Sequence, residues 1–151
     1  MTGELNLQQM NNILSSQAIG RMACCDGKYP YIVPMTYVYD GKNIYVQSLE
    51  GKKLELLRKN PNVCFEVDIS SDMYSWQSVL AFGILEELEG DESIQARERL
   101  YSSVVTLSTG ATVHQHEHHE PGDPILQESE RVKPIMCRIR IGDMTGRFER
   151  R

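Results

Sequence analysis

The stretch IGRMACCDGKYPYIVPMTYVYDGKNIYVQ, from Ile19 to Gln47, decides how this chain folds. Three short apolar runs, Ile19 to Cys25, Tyr31 to Tyr39 and Ile44 to Gln47, are separated by Asp26-Gly27-Lys28 and by Asp40-Gly41-Lys42-Asn43. Asp-Gly between β-rich runs is a strong hairpin signal, because glycine takes positive φ without a Cβ clash. The stretch therefore reads as a three-stranded meander. Pro34 lies inside the second strand and has no N–H to give to a ladder. That strand must be an edge at Pro34, or carry a bulge that turns its backbone outward, where something can dock.

Outward from the meander, Leu7, Met10, Ile13 and Leu14 recur at helical spacing in Leu5 to Ser16, with Asn6 placed to cap the helix. After Ser48 comes a short helix holding Lys53, Leu54, Leu57 and Arg58, which Asn60-Pro61 stops. Strands follow over Val63 to Asp68 and Trp76 to Glu87. The near-continuous apolar run in the second implies burial on both faces, by the core and by another subunit or layer. A helix over about Asp91 to Val105, with Ile94, Leu100, Tyr101 and Val104 on one side, is expected to close one end of a barrel. Residues 108–133 read as a long surface loop. Ile135 to Ile141 alternate as a final strand, with Thr145 to Phe148 as its return. Tyr31, Tyr37, Tyr39 and Tyr45 are expected to pave one exposed or dimer-covered face. The pattern is mainly β: a single domain over residues 1–151, built as a small antiparallel barrel with two or three flanking helices.

A chain of 151 residues suits one core. No apolar run approaches the roughly 20 residues of a spanning helix, so no membrane partner is expected. Met1 to Met10 is polar and without Lys or Arg, unlike a secretory signal, which points to the cytoplasm. A net charge of -5 repels polyanions at long range and argues against nucleic acid. Cys24, Cys25, Cys64 and Cys137 form no CxxC pair and read as small buried hydrophobes, with a redox role open for Cys24 or Cys25.

The chemistry-bearing stretch is Val46-Gln47-Ser48-Leu49-Glu50-Gly51-Lys52-Lys53, which leaves a strand and enters a helix. The first amides of a helix lack internal partners and sit at the positive end of its dipole. An anion there gains hydrogen bonds and field, to which Ser48 adds a hydroxyl, Gly51 close approach and the two lysines charge. A phosphate suits it; a solvated lysine pair is the structural alternative.

Several motifs in order, Gly20-Arg21-Met22-Ala23, Tyr29 to Gly41, Gly51-Lys52-Lys53-Leu54, Asn60-Pro61-Asn62-Val63, Trp76-Gln77-Ser78-Val79, Gly83 and Thr145-Gly146-Arg147-Phe148-Glu149, resemble the pyridoxamine 5'-phosphate oxidase-related flavoproteins. Within them the chain is most similar to the branch containing nitroimidazole-resistance proteins. The resemblance implies an FMN-binding split barrel working as a homodimer, with flavin in two clefts at the subunit interface. On it, Val33, Pro34, Met35 and Thr36 would lie along the isoalloxazine ring, and Val46, Gln47 and Ser48 would flank the ribityl chain. Lys52 and Lys53 would hold the phosphate, while Trp76 and Ser78 would belong to the cleft wall, supplied across the dimer. Lys52 or Gln47 near the ring's N1 to O2 side would stabilise reduced flavin.

Val33 stands where the oxidase branch places a phosphate-binding Arg, so weaker FMN affinity is expected, and Lys52 stands where nitroimidazole-resistance relatives often have His. The oxidase's substrate residues find no counterpart in the closing strand, so vitamin B6 oxidation is not expected. Flavin carries its own redox chemistry, and no catalytic side chain is assigned. The function expected is a flavin-dependent oxidoreductase of a small molecule such as a nitroaromatic; the alternative is a non-catalytic flavin or haem carrier or sensor. His114, His116, His118 and His119, with Glu117 and Glu120, have spacings that suit a metal or an axial haem contact. They are read as part of a solvated loop, and no metal is assigned.

Overall fold

A computed structural model describes residues 1–107 and 134–151. In chain order these are β1 (Thr2–Glu4), α1 (Leu7–Ser16), β2 (Ile19–Cys25), β3 (Pro30–Tyr39), β4 (Asn43–Ser48), α2 (Lys52–Lys59), β5 (Asn62–Asp72), β6 (Ser75–Glu87), α3 (Gly90–Leu107) and β7 (Ile135–Glu149). The strands are antiparallel in the order β1-β7-β4-β3-β2-β5-β6, and β6 pairs back onto β7. Six strands thus close into a barrel, with β1 added along the end of β7. The fold is a mainly β, antiparallel split barrel with three helices among the described residues. The histidine cluster and the loop reading of 108–133 lie outside the described residues.

Local chemistry accounts for the meander. Gly27 and Gly41 take φ of 103° and 93°, as the two turns require. Asp40 accepts the amides of Lys42 and Asn43 at 2.8 and 2.6 Å, locking the β3–β4 turn. At the start of α1, Asn6 and Gln9 form a reciprocal capping box.

Inside the barrel, Met22, Tyr37, Ile44, Val46, Phe65, Val67, Val79, Ala81 and Ile139 meet Leu14 of α1 and Leu54 of α2 in one buried cluster. The Val, Leu, Ile, Met and Phe side chains among them contribute about 1.5–3 kcal/mol each by leaving water. Tyr37 is fully buried, stacks edge-on against Phe65 at 5.1 Å and donates its hydroxyl to the Leu14 carbonyl at 2.6 Å. Burial raises its pKa.

Several expectations need correction. The tyrosines do not pave an outer face: Tyr37 is in the core, Tyr31 and Tyr39 pack against it, and Tyr45 lies beneath α3. Helix α3 does not close a barrel end. Its Ala96 and Leu100 form a second small core with Val38, Leu88 and Met136, which project from the outer side of the sheet. The last segment does not turn back: β7 runs unbroken to Glu149, and the register shift opposite Phe82 and Gly83 leaves Gly142 unpaired as a bulge. β6 keeps its expected core face, with Val79 and Ala81 buried, while Phe82 and Ile84 on the face expected to meet another subunit or layer are 42% and 53% exposed in the single chain.

Candidate functional site

The site begins at the opening in the barrel wall. β3 pairs with β2 from Pro30 to Thr36, opposite Cys25 to Ile19, but with β4 only from Tyr37 to Tyr39, opposite Val46 to Ile44. Before Tyr37 the two strands part, and this is where Pro34 falls. The Tyr37 amide donates to the Ala18 carbonyl, on the β2 side. By alternation, the Thr36 amide, the Pro34 carbonyl and the Pro34 ring nitrogen face the open side. Proline can occupy this position because no ladder partner is lost, and the edge expected from the sequence is present.

A cavity of about 450 Å³ occupies the opening, lined by Pro34, Met35 and Thr36 of β3, Gln47 of β4, Lys53 of α2, and Leu100 and Tyr101 of α3. This volume falls in the range of about 300–1,000 Å³ that suits small ligands. Among the described residues Lys53 is the charged member of the lining, and it is half-buried. The start of α2 beside it carries no side-chain cap, and a Cβ built on Gly51 would meet nothing within 4 Å. Uncapped amides, an ammonium and open space together favour an anion.

The sequence candidates divide into three groups. Pro34, Met35, Thr36, Gln47 and Lys53 converge on the cavity. Val46 is fully buried in the core, Val33 packs against it, and Ser48 is buried with its hydroxyl donating to the Leu49 carbonyl at 3.1 Å. These three residues border the opening without lining it. The third group points elsewhere. Successive helical residues are rotated by about 100°, and the Lys52 ammonium lies over the Tyr31 ring, 5.8 Å from its centroid. Ser78 stands three strands from Thr36, through Ile19 and along the ladder to β6. Trp76 donates its indole N–H to Glu149 at 3.0 Å in a separate depression beside Arg150 and Arg151.

Leu100 and Tyr101 were not among the candidates. Ala96 and Leu100 form the buried i, i+4 stripe of α3, and Tyr101 sits one residue off it, 51% exposed. An aromatic just beside a buried stripe was the available signal. Its hydroxyl donates to Gln47 Oε1 at 3.3 Å.

A second, larger hollow of about 570 Å³ lies on the outer face of β2, β5 and β6, bordered by Ala23, Cys25, Cys64, Phe82, Ile84 and Asp143 among others. All four cysteines are free thiols; Cys24 and Cys137 are buried, Cys25 and Cys64 half-exposed. Burial is the main reason that the Cys24 and Cys64 pKa values are raised and that of Cys137 is pushed up to about 12, so these thiols are poor nucleophiles at neutral pH. Beside the hollow, Arg21 pairs with Asp68 at 3.1 Å and with Glu66 at 3.5 Å. Burial, reinforced by Asp68, keeps the Glu66 pKa raised despite Arg21. No cluster of three metal-ligating residues occurs among the described residues.

A closed six-stranded antiparallel barrel with a cavity where two of its strands part defines a split barrel. The family described as "Pyridoxamine 5'-phosphate oxidase" matches residues 7–148, and the chain belongs to that family. An uncharacterised protein of Rhizobium meliloti is 28% identical over 147 residues, covering 95% of this chain and 92% of the relative. Among solved structures, a protein of Mesorhizobium loti described as FAD-binding is 28% identical, with 99% of each chain covered and a TM-score of 0.72. A protein of Bacteroides thetaiotaomicron, described as a candidate 5-nitroimidazole antibiotic resistance protein, shares the fold at 21% identity and a TM-score of 0.71, covering 98% of this chain and 87% of that one.

Proposed function

We propose that the protein binds FMN in the opening between β3 and β4 and acts as a flavin-dependent oxidoreductase on a small, electron-poor molecule such as a nitroaromatic. The observation that carries this reading is the convergence on one cavity of Lys53, from the first turn of the uncapped helix α2, and the unpaired edge Pro34 to Thr36. Such a cavity matches a ligand with an anionic tail and a flat heteroaromatic ring. Flavin, when bound, supplies the electron-transfer chemistry. Lys53 and the free amides of α2 hold the phosphate, the Thr36 amide and Pro34 carbonyl serve the polar edge of the ring, and Gln47 stands beside it. Val33, Val46 and Ser48 shape the opening from behind. Lys52 contributes field rather than contact.

FMN is favoured over FAD by charge. A terminal phosphate monoester carries about -1.5 to -2 at neutral pH, more than a diester phosphate can present to the same corner. The chain is also proposed to act as a homodimer. Across the outer face Ile32, Ala23, Cys64 and Phe82 stand in register, next to the row that begins with Pro34 and Arg21. Ile32 is 65% exposed, and a second copy covering this row would reach the rim of the cavity. Trp76 and Ser78 are then available to the partner's cleft.

The test is titration of the purified protein with FMN and FAD, followed by steady-state NAD(P)H oxidation with a nitroaromatic acceptor. Tighter binding of FMN and turnover of the acceptor are expected. Preference for FAD would overturn the choice of cofactor, and tight binding without turnover would overturn the enzymatic assignment.

A further inference from the structure

Resting on the flavin reading, we infer that Tyr101 is a positioning residue that fixes the Gln47 side-chain amide with its NH2 toward the flavin ring, and so sets the ring's reduction potential. The Tyr101 hydroxyl donates to Gln47 Oε1 at 3.3 Å, and both residues line the same cavity. A primary amide has one acceptor end and one donor end. With Oε1 engaged by Tyr101, the Nε2 hydrogens are left for a ligand on the β3 side. A donor fixed there favours whichever form of the ring is richer in electrons, which is the reduced one.

The fold holds Tyr101 in place from several directions. Arg99, two residues earlier, pairs with Asp40 at 3.1 Å and lies over the Tyr45 ring, 5.5 Å from its centroid. Arg97 donates to the Pro134 carbonyl at 3.2 Å. Leu100 is buried against the outer side of the sheet. Helix α3 is therefore tied to the β3–β4 turn, to the entry of β7 and to the second core, and its one exposed aromatic at this level is delivered to Gln47. The burial of α3 does not require that placement, since the ring of Tyr101 is half in solvent. Its hydroxyl has a definite task only if the orientation of Gln47 matters.

The test is a double-mutant cycle read by the flavin midpoint potential, measured by dye equilibration on wild type, Tyr101→Phe, Gln47→Leu and the double variant. Tyr101→Phe keeps the ring and removes only the donor. It is expected to lower the preference for reduced over oxidised flavin by about tenfold, about 30 mV for a two-electron couple. In the Gln47→Leu background the same substitution is expected to shift nothing. An equal shift in both backgrounds, or none with Gln47 present, would overturn the inference while leaving the flavin site intact. Wild-type protein that binds no flavin would overturn the site itself, and the inference with it.

Discussion

The two hollows on the outside of this barrel differ in size and in chemistry, and the two measures rank them in opposite order. The groove across β2, β5 and β6 is larger, about 570 Å³ against about 450 Å³, yet it offers mostly apolar surface and two half-exposed thiols. The smaller cavity between β3 and β4 collects an ammonium, a side-chain amide, a phenol and unpaired backbone. A ligand must be oriented as well as enclosed, and convergent polar groups do that. An open apolar groove suits a second protein surface instead. The difference comes from strand pairing: Pro34 marks where one ladder ends and leaves polar edges free, while beneath the groove β2, β5 and β6 stay paired to one another.

The sharpest way to break this division of labour is Lys53→Ala. Loss of one charge-assisted contact is expected to weaken FMN binding about ten- to hundredfold, read by fluorescence titration. Unchanged affinity would move the ligand away from the small cavity. Next in size is Phe82→Asp, which places a charge in the groove. It is expected to raise the dimer dissociation constant at least about tenfold in sedimentation experiments while the monomer stays folded, because Phe82 is 42% exposed in the single chain. A dimer that ignores this change forms through another face.

Lys52→Ala sharpens the comparison within the small cavity. With its ammonium over Tyr31, its removal is expected to change FMN affinity by less than about threefold, as for an exposed charge. The smallest effect is expected at the groove's edge, from Glu66→Gln. Its folded pKa is raised, so the carboxyl weakens the fold above that pKa and costs nothing below its unfolded value. Thermal melts should show a small gain in midpoint at pH 7 that disappears at pH 3.5. A gain that grows in acid would contradict the sign.

The meander, the capped first helix and the edge at Pro34 were legible because each depends on chemistry within a few residues: Asp-Gly turns, an Asn6 cap, a missing N–H. The faces of β3 were not. Tyr31, Tyr37 and Tyr39 alternate with Ile32, Pro34 and Thr36, and both sets contain apolar surface, so period two alone does not say which points inward. The reversal expected between Ile141 and Thr145 is instead a bulge at Gly142, because β7 pairs with β6 on both sides of it.

At the site, the Lys52-Lys53 pair announced an anion, but only the helix's rotation separates the lysine that reaches the cavity from the one that does not. Tyr101 stood out beside the buried stripe of α3, but its partnership with Gln47 was out of reach. Its partner Gln47 lies 54 residues earlier, and the two meet only because α3 docks on the barrel's side rather than its end.

The most direct test of the account is a crystal structure of the protein grown with FMN. It should show the phosphate against Lys53 and the first amides of α2, with the ring along Pro34 to Thr36 and Gln47 beside it. Flavin seated in the groove between Cys25 and Phe82, or crystals with no flavin at either place, would contradict it.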